Sequence, residues 1–494
     1  MVKFNVCLLL ILCKRDRKNK GVKVYYNMMD IFGVLNMGSK ALMVQQKGIY
    51  VTGNNIANVN TPGYSRQRLN ISSDLPINTG IGPVGSGVTA NEIERVYDRF
   101  LGVQINNETQ SLGQWEAYKD SLERAEMVFN ESGGYGLNQV MSEFWNAWQD
   151  LANNPSGSVE RTVLVAKSEM LAATFSQNYE DLQQIQRDID SNIEGAVEEI
   201  NRLSENMTDL NRKIIQMEAG GHAANDYRDQ RDLVLKELSE LIDIDSFEDA
   251  TGGVTVSVGS GQVLVEGTHT YKLSTQANTS GRQDVTWVDS SNNLVIITDN
   301  ISKGKLKGWL DARDIDIDNS LNNLDILAQR LMEEVNGLHA SGRGLDGSTG
   351  NVFFTGFTTA AGIQVNPEIV NDVNLIAAAE DFDPANGLKP GDNGNAIAIA
   401  NLQQAQTMNG NTATFGAYYD SLVSDAGLAV QQATSYYNHQ SQMVLHVENY
   451  RESISGVSID EETVNLIKYQ NAYQAAAKLI NTADEMMETV LAMI

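Results

Sequence analysis

Histidine, glycine and carboxylate patterns that can do chemistry are present in this chain, and each competes with a plainer role. Five histidines stand at 222, 269, 339, 439 and 446. A helical zinc site of the His-Glu-x-x-His kind needs two imidazoles one turn apart, but here the nearest pair is seven residues apart, too far to share an ion. These histidines are expected to be solvated or capping side chains. Gly342–Gly347 reads GRGLDG, with the three glycines of a dinucleotide-binding turn. It follows a helical stretch where that motif must follow a strand, so it reads as a flexible loop. DIDIDN from Asp314 opens like a calcium loop, yet Asn319 replaces the turn glycine and position twelve is Asp325. Leu310, Ile317, Leu321 and Leu324 keep helical spacing through it, which makes it a helix face. Asp243, Asp245 and Glu248 are the clustered carboxylates a hydrolase would use as acid and base; their spacing fits surface carboxylates far better. No catalytic residue, cofactor site or metal site is assigned.

Composition narrows the class. The 494 residues are 42% hydrophobic, enough for several real cores. A formal net charge of -27 repels phosphate backbones and anionic lipid surfaces, and no basic patch offsets it, so neither nucleic acid nor membrane is expected as a partner. Residues 1–27 differ from the rest. They hold seven Lys/Arg, one Asp and both cysteines, Cys7 and Cys13, which leaves 29 basic and 62 acidic side chains beyond them, a net of -33. A large remainder without thiols has no disulfide, thiolate metal site or cysteine nucleophile, and suits life outside the cell without oxidative folding. The apolar run Val6–Cys13 is too short to span a bilayer and lacks a small-residue cleavage site. Residues 1–27 are expected to be a translated upstream stretch with the start at Met28 or Met29, a real extension or an export signal being the alternatives.

The elements that must position any site are mostly helical. Met28, Leu35, Leu42, Ile49 and Ile56 recur every seven residues, one stripe on one helix. It stops at Asn58-Val59-Asn60-Thr61-Pro62-Gly63, where Pro62 forbids continuation and Pro-Gly suits the centre of a type II turn. A loop or short extended segments follow over 70–92. Helices are predicted over 93–130, 136–153 and 158–217; in the last, Ile189, Ile193, Ala196, Ile200, Leu203, Met207, Leu210, Ile214 and Met217 alternate spacings of four and three, a heptad seam. Another helix starts at Asn225. From Asp243 to about Ser302, β-formers alternate with Gly, Ser and Asn and read as hairpins. Helix returns over 306–338, a weakly structured Gly/Asn-rich stretch covers 340–411, and a helix fills 412–453.

The last segment carries a second seam: Leu466, Tyr469, Tyr473, Ala476, Ile480, Ala483, Met487, Val490 and Ile494. Ser458 and Glu461 make a capping box at its start. An isolated amphipathic helix is marginal in water and draws most of its stability from packing its apolar face. Each buried aliphatic side chain contributes roughly 1.5–3 kcal/mol, so the two ends are expected to pair with each other and with copies of themselves. The fold class is therefore mainly α with an inserted β domain: long terminal helices pairing as a coiled coil, a helical bundle, and a protruding β-rich middle domain. The division expected is an extension at 1–27, a terminal helix and turn at 28–92, a bundle at 93–242, a β insertion at 243–305, return helices at 306–455 and a terminal helix at 456–494.

LNMGSKALMVQQKGIYVTGNNIANVNTPGYSRQ, near the start, resembles the N-terminal signature of bacterial flagellar rod, hook and hook-associated proteins, and LIKYQNAYQAAAKLINTADEMMETVL resembles their C-terminal signature. Tyr64-Ser65-Arg66-Gln67, DQRD at 229–232, GQVLVEG at 261–267 and GWLDARD at 308–314 point within that family to a hook–filament junction subunit. Residues 1–27 depart from the pattern, and 340–411 match none of it. The resemblance implies a non-enzymatic, extracellular structural subunit whose terminal helices form the inner tube of a helical assembly. Its partners would be copies of itself, the flagellar hook protein, the second junction protein, an export chaperone and the type III exporter. The expected assembly surface is Leu35, Leu42, Ile49 and Ile56 with Leu466, Tyr469, Tyr473, Ile480, Met487, Val490 and Ile494. Asn54, Asn55, Asn58 and Asn60, with Pro62, Gly63 and Tyr64, either cap the helix within one chain or bridge neighbours. The alternatives are another axial subunit of the same family, hook or distal rod, which tend to lack the long helix at 189–217, and, from other classes, a secreted adhesin or hydrolase.

Overall fold

The computed structural model describes residues 20–492 except 80–81, 130–135, 260, 357, 381, 384–386 and 389–390. Helix α1 spans Lys20–Ala57, so helical backbone begins eight residues ahead of Met28. Most of the segment set apart at 1–27, and Ile494 at the other end, lie outside the described residues. Strands β1 (Gln67–Ser73) and β4 (Val88–Arg95) pair antiparallel, with the small hairpin β2 (Ile77–Thr79) and β3 (Gly82–Val84) at their tip. Helix was expected from 93, but Ile93-Glu94-Arg95 finish β4 opposite Leu69-Arg68-Gln67. Helix α2 (Arg99–Val128) starts where Asp98 accepts from the Phe100 and Leu101 N–H groups, a side-chain cap that outweighs the propensity of the residues before it.

The body is built on α4 (Ser158–Ala219), which runs its full length behind α3 (Leu137–Asn153) and α5 (Asn225–Leu241). Every seam residue of α4 from Ile189 to Ile214 is buried, and Met217 is exposed. That seam does not meet one partner helix. It is covered by α5 and by two sheets, β5 (Ile244–Glu248)–β6 (Val254–Val258)–β7 (Gln262–Glu266)–β8 (His269–Thr270) and β9 (Lys272–Ala277)–β10 (Gln283–Val288)–β11 (Leu294–Ile296). Val256, Val258, Leu264, Leu273 and Val285 share one continuous core with the helices, so the strands are anchored along α4. Two asparagines stitch them down. Asn211 donates to the carbonyls of Val254 and Gly267 at 2.8 Å and accepts from the Val254 N–H at 3.0 Å. Asn201 exchanges the same pair with Leu273 at 2.9 and 2.8 Å. A carboxamide carries the donor and acceptor of a peptide, so each one completes a strand edge from a helix.

Helix α6 (Gly304–Asp311), a π turn (Ala312–Ile317) and α7 (Asp318–Ser341) form one continuous helix. DIDIDN lies in it, as its spacing required. The stretch 340–411 holds only short pieces, among them β12 (Phe354–Thr355), β13 (Gln364–Val365), β14 (Phe382–Asp383), β15 (Gly387–Leu388), α8 (Pro367–Asn371) and α9 (Gly394–Asn401). It is nonetheless tightly packed: Phe353 lies against Phe144 and Trp148 of α3 and Phe354 against Phe144, and Ile369, Ile376, Ala396 and Ile399 are buried in the same core. Irregular backbone can be buried only if its polar groups are paired. Arg161 supplies two such bonds, to the carbonyls of Val373 and Ile376, and gives two more to the Pro155 carbonyl. Its burial, offset only in part by the Asp346 charge, pulls its pKa down to about 10.

His339 corrects the expectation of solvated or capping histidines. It is fully buried; its Nδ1 lies 2.7 Å from the Asn351 carbonyl and its Nε2 accepts from the Ala377 N–H at 3.0 Å. That fixes a neutral ring with the proton on Nδ1, and burial holds its pKa at about 4. The other four histidines are exposed. GRGLDG follows α7 and is pinned by backbone bonds from Arg343 to Ala379 and from Leu345 to Asn374, which makes it a fixed turn.

Candidate assembly interface at the paired ends

Helix α10 (Phe415–Ser455) returns along α2, and after a short joint at Gly456 the chain ends in α11 (Ile459–Ala492), which packs along α1. Two glycines set how closely the ends approach. A Cβ on Gly38 would sit 2.7 Å from Ile480, and one on Gly48 would sit 2.7 Å from the Tyr469 ring. On α11, Ala476, whose carbonyl also borders Gly38, and Ala483 are buried. The close contacts between the ends therefore seat the large side chains of Ile480 and Tyr469 on glycines of α1. The face of α1 that is fully covered is Ile31, Gly38, Val44, Gly48, Val51, Thr52 and Asn55. Leu35, Leu42, Ile49 and Ile56 border that face and are half-buried, as are Leu466, Tyr469, Ile480, Met487 and Val490 on α11. Tyr473 is exposed, at 39%. Counting bulky residues locates the stripe but misses the glycines, because close helix packing selects the absence of a side chain.

Outside this contact further apolar side chains face solvent. Phe32, Met43 and Tyr50 on α1, and Val464, Ile467, Leu479, Met486 and Leu491 on α11, are all exposed, Tyr50 at 71% and Val464 at 65%. Large exposed apolar side chains gathered on one helix pair make it a candidate interaction surface.

At the inner end of the pair sits a polar collar. The turn after α1 has Gly63 at φ +78 with the Tyr64 N–H bonded to the Thr61 carbonyl at 3.2 Å, a type II turn with Gly at its third position. Asn58 donates to the Asn54 carbonyl at 3.0 Å and accepts from the Thr61 hydroxyl at 3.1 Å, while Asn54 donates to the Tyr64 hydroxyl at 3.2 Å. Asn55, 1% exposed, is the hub. It accepts from the Gln67 N–H at 2.9 Å and from the Tyr64 hydroxyl at 2.9 Å, and donates to the Gln67 carbonyl at 2.8 Å and to Glu462 at 3.1 Å. Three of the four asparagines are thus satisfied within the chain; Asn60 and Pro62 are exposed.

Charged groups close the collar. Arg66 reaches Glu462 at 2.8 Å and Glu461 at 2.7 Å, and its N–H bonds the Ser455 carbonyl. Glu461 is thereby drawn away from Ser458, whose hydroxyl accepts from the Glu461 N–H at a long 3.5 Å, so the capping box is half-made. On the body side the DQRD motif of α5 receives the turn. Asp229 accepts from the Ser65 N–H at 2.9 Å, and Arg95 bridges Asp229 at 2.9 Å and Asp232 at 2.6 Å. Burial lifts Asp229 above the usual carboxylate range against those bonds. Burial also pulls Arg95 down, but the Asp232 and Asp229 charges more than offset it and hold the guanidinium above its ordinary value. Removing one partner from so buried a pair typically costs about 3–5 kcal/mol. Arg66, Arg95, Asp229 and Glu462 were not singled out from the sequence as interface residues. The signal available was the clustering of DQRD and of YSRQ at element ends.

Two of the three carboxylates offered as acid and base are otherwise engaged, and Asp245 is exposed. Glu248 pairs with Arg228 at 2.7 Å and Asp243 accepts from Ser302 at 2.8 Å.

Three family matches fall on this architecture: residues 35–64 match the flagella basal body rod protein family, 122–354 the flagellar hook-associated protein FlgK helical domain, and 451–493 the C-terminal region of flagellar basal body rod FlgEFG proteins. Flagellar hook-associated protein 1 of Bacillus subtilis is 30% identical over 94% of this chain and 98% of its own length. The chain belongs to the flagellar hook-associated protein 1 family. The Salmonella typhimurium protein of that name is 24% identical over 93% of this chain and 99% of its own. The solved structure of the flagellar hook junction protein FlgK from Burkholderia pseudomallei superposes with a TM-score of 0.63 at 15% identity, covering 71% of this chain and all of that one, and shares the fold. Membership makes this chain a structural subunit at the hook–filament junction of the extracellular flagellum rather than an enzyme, assembling with hook and filament components. Among the described residues no helix is long and apolar enough to cross a membrane.

Proposed function

We propose that the subunit builds its junction layer by polymerising through the outer face of its paired terminal helices, with the collar fixing the angle between that pair and the body. The supporting observation is that Phe32, Met43 and Tyr50 on α1 and Val464, Ile467, Leu479 and Met486 on α11 stay exposed after the inner contact at Gly38 and Gly48 has closed. Sister copies cover those side chains, and the expected assembly residues Leu35, Leu42, Ile49, Ile56, Leu466, Tyr469, Ile480, Met487 and Val490 then pass from half-buried, and Tyr473 from exposed, to buried. The hook protein lies below the layer and the second junction protein above it. An export chaperone shields α11 before the type III exporter passes the chain, whose residues beyond 27 hold no thiol to cross-link it on the way. Deleting residues 466–494 and imaging hook tips tests the reading: junction layers and filaments should vanish, and their normal formation would refute it.

A further inference from the structure

A cleft of about 590 Å³ opens at the shoulder where the collar meets the body, between the Pro62-Gly63 turn, the start of α2, α5, β5 and the end of α10. Its lining carries Arg95, Arg99, Arg228, Arg231, Lys236 and Arg451 against Asp232, Glu248, Glu448 and Glu452, a basic excess in an otherwise acidic molecule. Arg95, Arg228 and Arg231 on the floor are already paired with carboxylates. On the rim Arg99 is exposed and, among the described residues, has no carboxylate within ion-pair distance; Arg451 pairs only with its neighbour Glu452. Beside them three apolar side chains face solvent: Val103 at 44%, Phe247 at 60% and Leu445 at 51%. The complementary ligand carries two carboxylates next to an apolar group.

One segment of this chain has that chemistry and nothing covering it. Near the far end of α11, Asp484, Glu488 and Leu491 are exposed and share one face by their spacing of four and three. No Lys or Arg follows Lys478. Its own cleft is out of reach. Helix α11 starts beside the collar and runs 34 residues, which at 1.5 Å per residue is about 50 Å. A second copy displaced along the helix pair by that length brings its tip to the shoulder of the first. We infer that the cleft receives the C-terminal helix end of a second copy, with Asp484 and Glu488 toward Arg99 and Arg451 and Leu491 against Phe247 and Leu445. This rests on polymerisation through the terminal helices and adds the longitudinal contact between copies.

The test uses the full chain with Cys7 and Cys13 changed to serine, so that introduced cysteines are the only thiols. Val103→Cys protein is mixed with Glu488→Cys protein, assembled and oxidised; Val159→Cys, exposed on the body at 69%, replaces Val103→Cys as the control. A disulfide dimer from the first mixture and none from the control is expected. Polymer without the 103–488 dimer overturns the cleft assignment alone, and no polymer under any condition overturns the reading it rests on as well. In parallel, Arg99→Glu should raise the concentration needed for assembly on the order of tenfold, and adding Glu488→Arg to the same chain should restore it. Failure of the second change to restore assembly, with helicity by circular dichroism unchanged, also counts against the contact.

Discussion

Helices α4 and α11 carry the same alternation of apolar residues at spacings of three and four, and they end up in opposite situations. On α4 the seam from Ile189 to Ile214 is buried under α5 and two sheets of the same chain. On α11 the only buried residues are Glu462, Ala476 and Ala483, and the bulky seam positions are half-covered. Periodicity says which residues share a face. How much of that face is covered depends on what the rest of the chain brings to it, and in the terminal pair the chain brings one helix where α4 receives several elements. Burial at about 25 cal/mol per Å² then makes the body self-sufficient and leaves the pair short.

The contrast can be broken most forcefully in the body. Trp148→Ala, at a fully buried site in the aromatic cluster with Phe144, Phe353 and His339, should cost about 3–5 kcal/mol in urea unfolding of the monomer. Ile480→Ala should leave that transition nearly unmoved while weakening polymerisation measured by sedimentation. Equal losses of monomer stability from both would erase the distinction. Gly48→Ala comes next: a methyl 2.7 Å from the Tyr469 ring should force the pair apart at a cost of up to about 3 kcal/mol. Hydrogen exchange should then quicken in α1 and α11 and stay unchanged in α4.

A pH titration sharpens the same division. His339 is held neutral in the fold, with its pKa at about 4 against an ordinary 6.5. Between those values the unfolded chain binds the extra proton, so stability is complete above pH 6.5 and falls as the pH drops toward 4. The body should lose about 2 kcal/mol between pH 7 and pH 5, and His339→Gln should flatten that slope. The smallest effect belongs to Glu461, whose side chain is 62% exposed where it meets Arg66. Glu461→Ala should cost less than about 1 kcal/mol, whereas Glu462→Ala, at a site 2% exposed, should visibly loosen the collar in exchange at Gln67.

Much of this architecture was legible in the residues. Long helices announced themselves by periodicity, with α4 and α5 found at nearly their observed ends, and Pro62-Gly63 stated its own turn. The strands of 243–302 were readable from alternation. Three things were hidden for a common reason: each is a relation between distant parts of the chain. Asn201, Asn211 and Asn336 complete strand edges from within helices, and a carboxamide at mid-helix, a poor helix former on or beside the buried face, was the only hint. The stretch 340–411 looks loose because its order comes from Arg161, His339 and the aromatic residues of α3. In the terminal pair the glycines that set the approach are silent on any hydrophobicity count.

The neck has a mechanical consequence. Both crossings between the tails and the body lie side by side, tied by the Arg66 N–H to the Ser455 carbonyl and by Arg66 to Glu461 and Glu462. A pull or twist applied to the tails therefore reaches the two backbones together, and loads those ties sideways rather than peeling them open one at a time. In a rotating shaft, a subunit attached this way passes torque to its outer mass through a rigid double stem instead of a swivel.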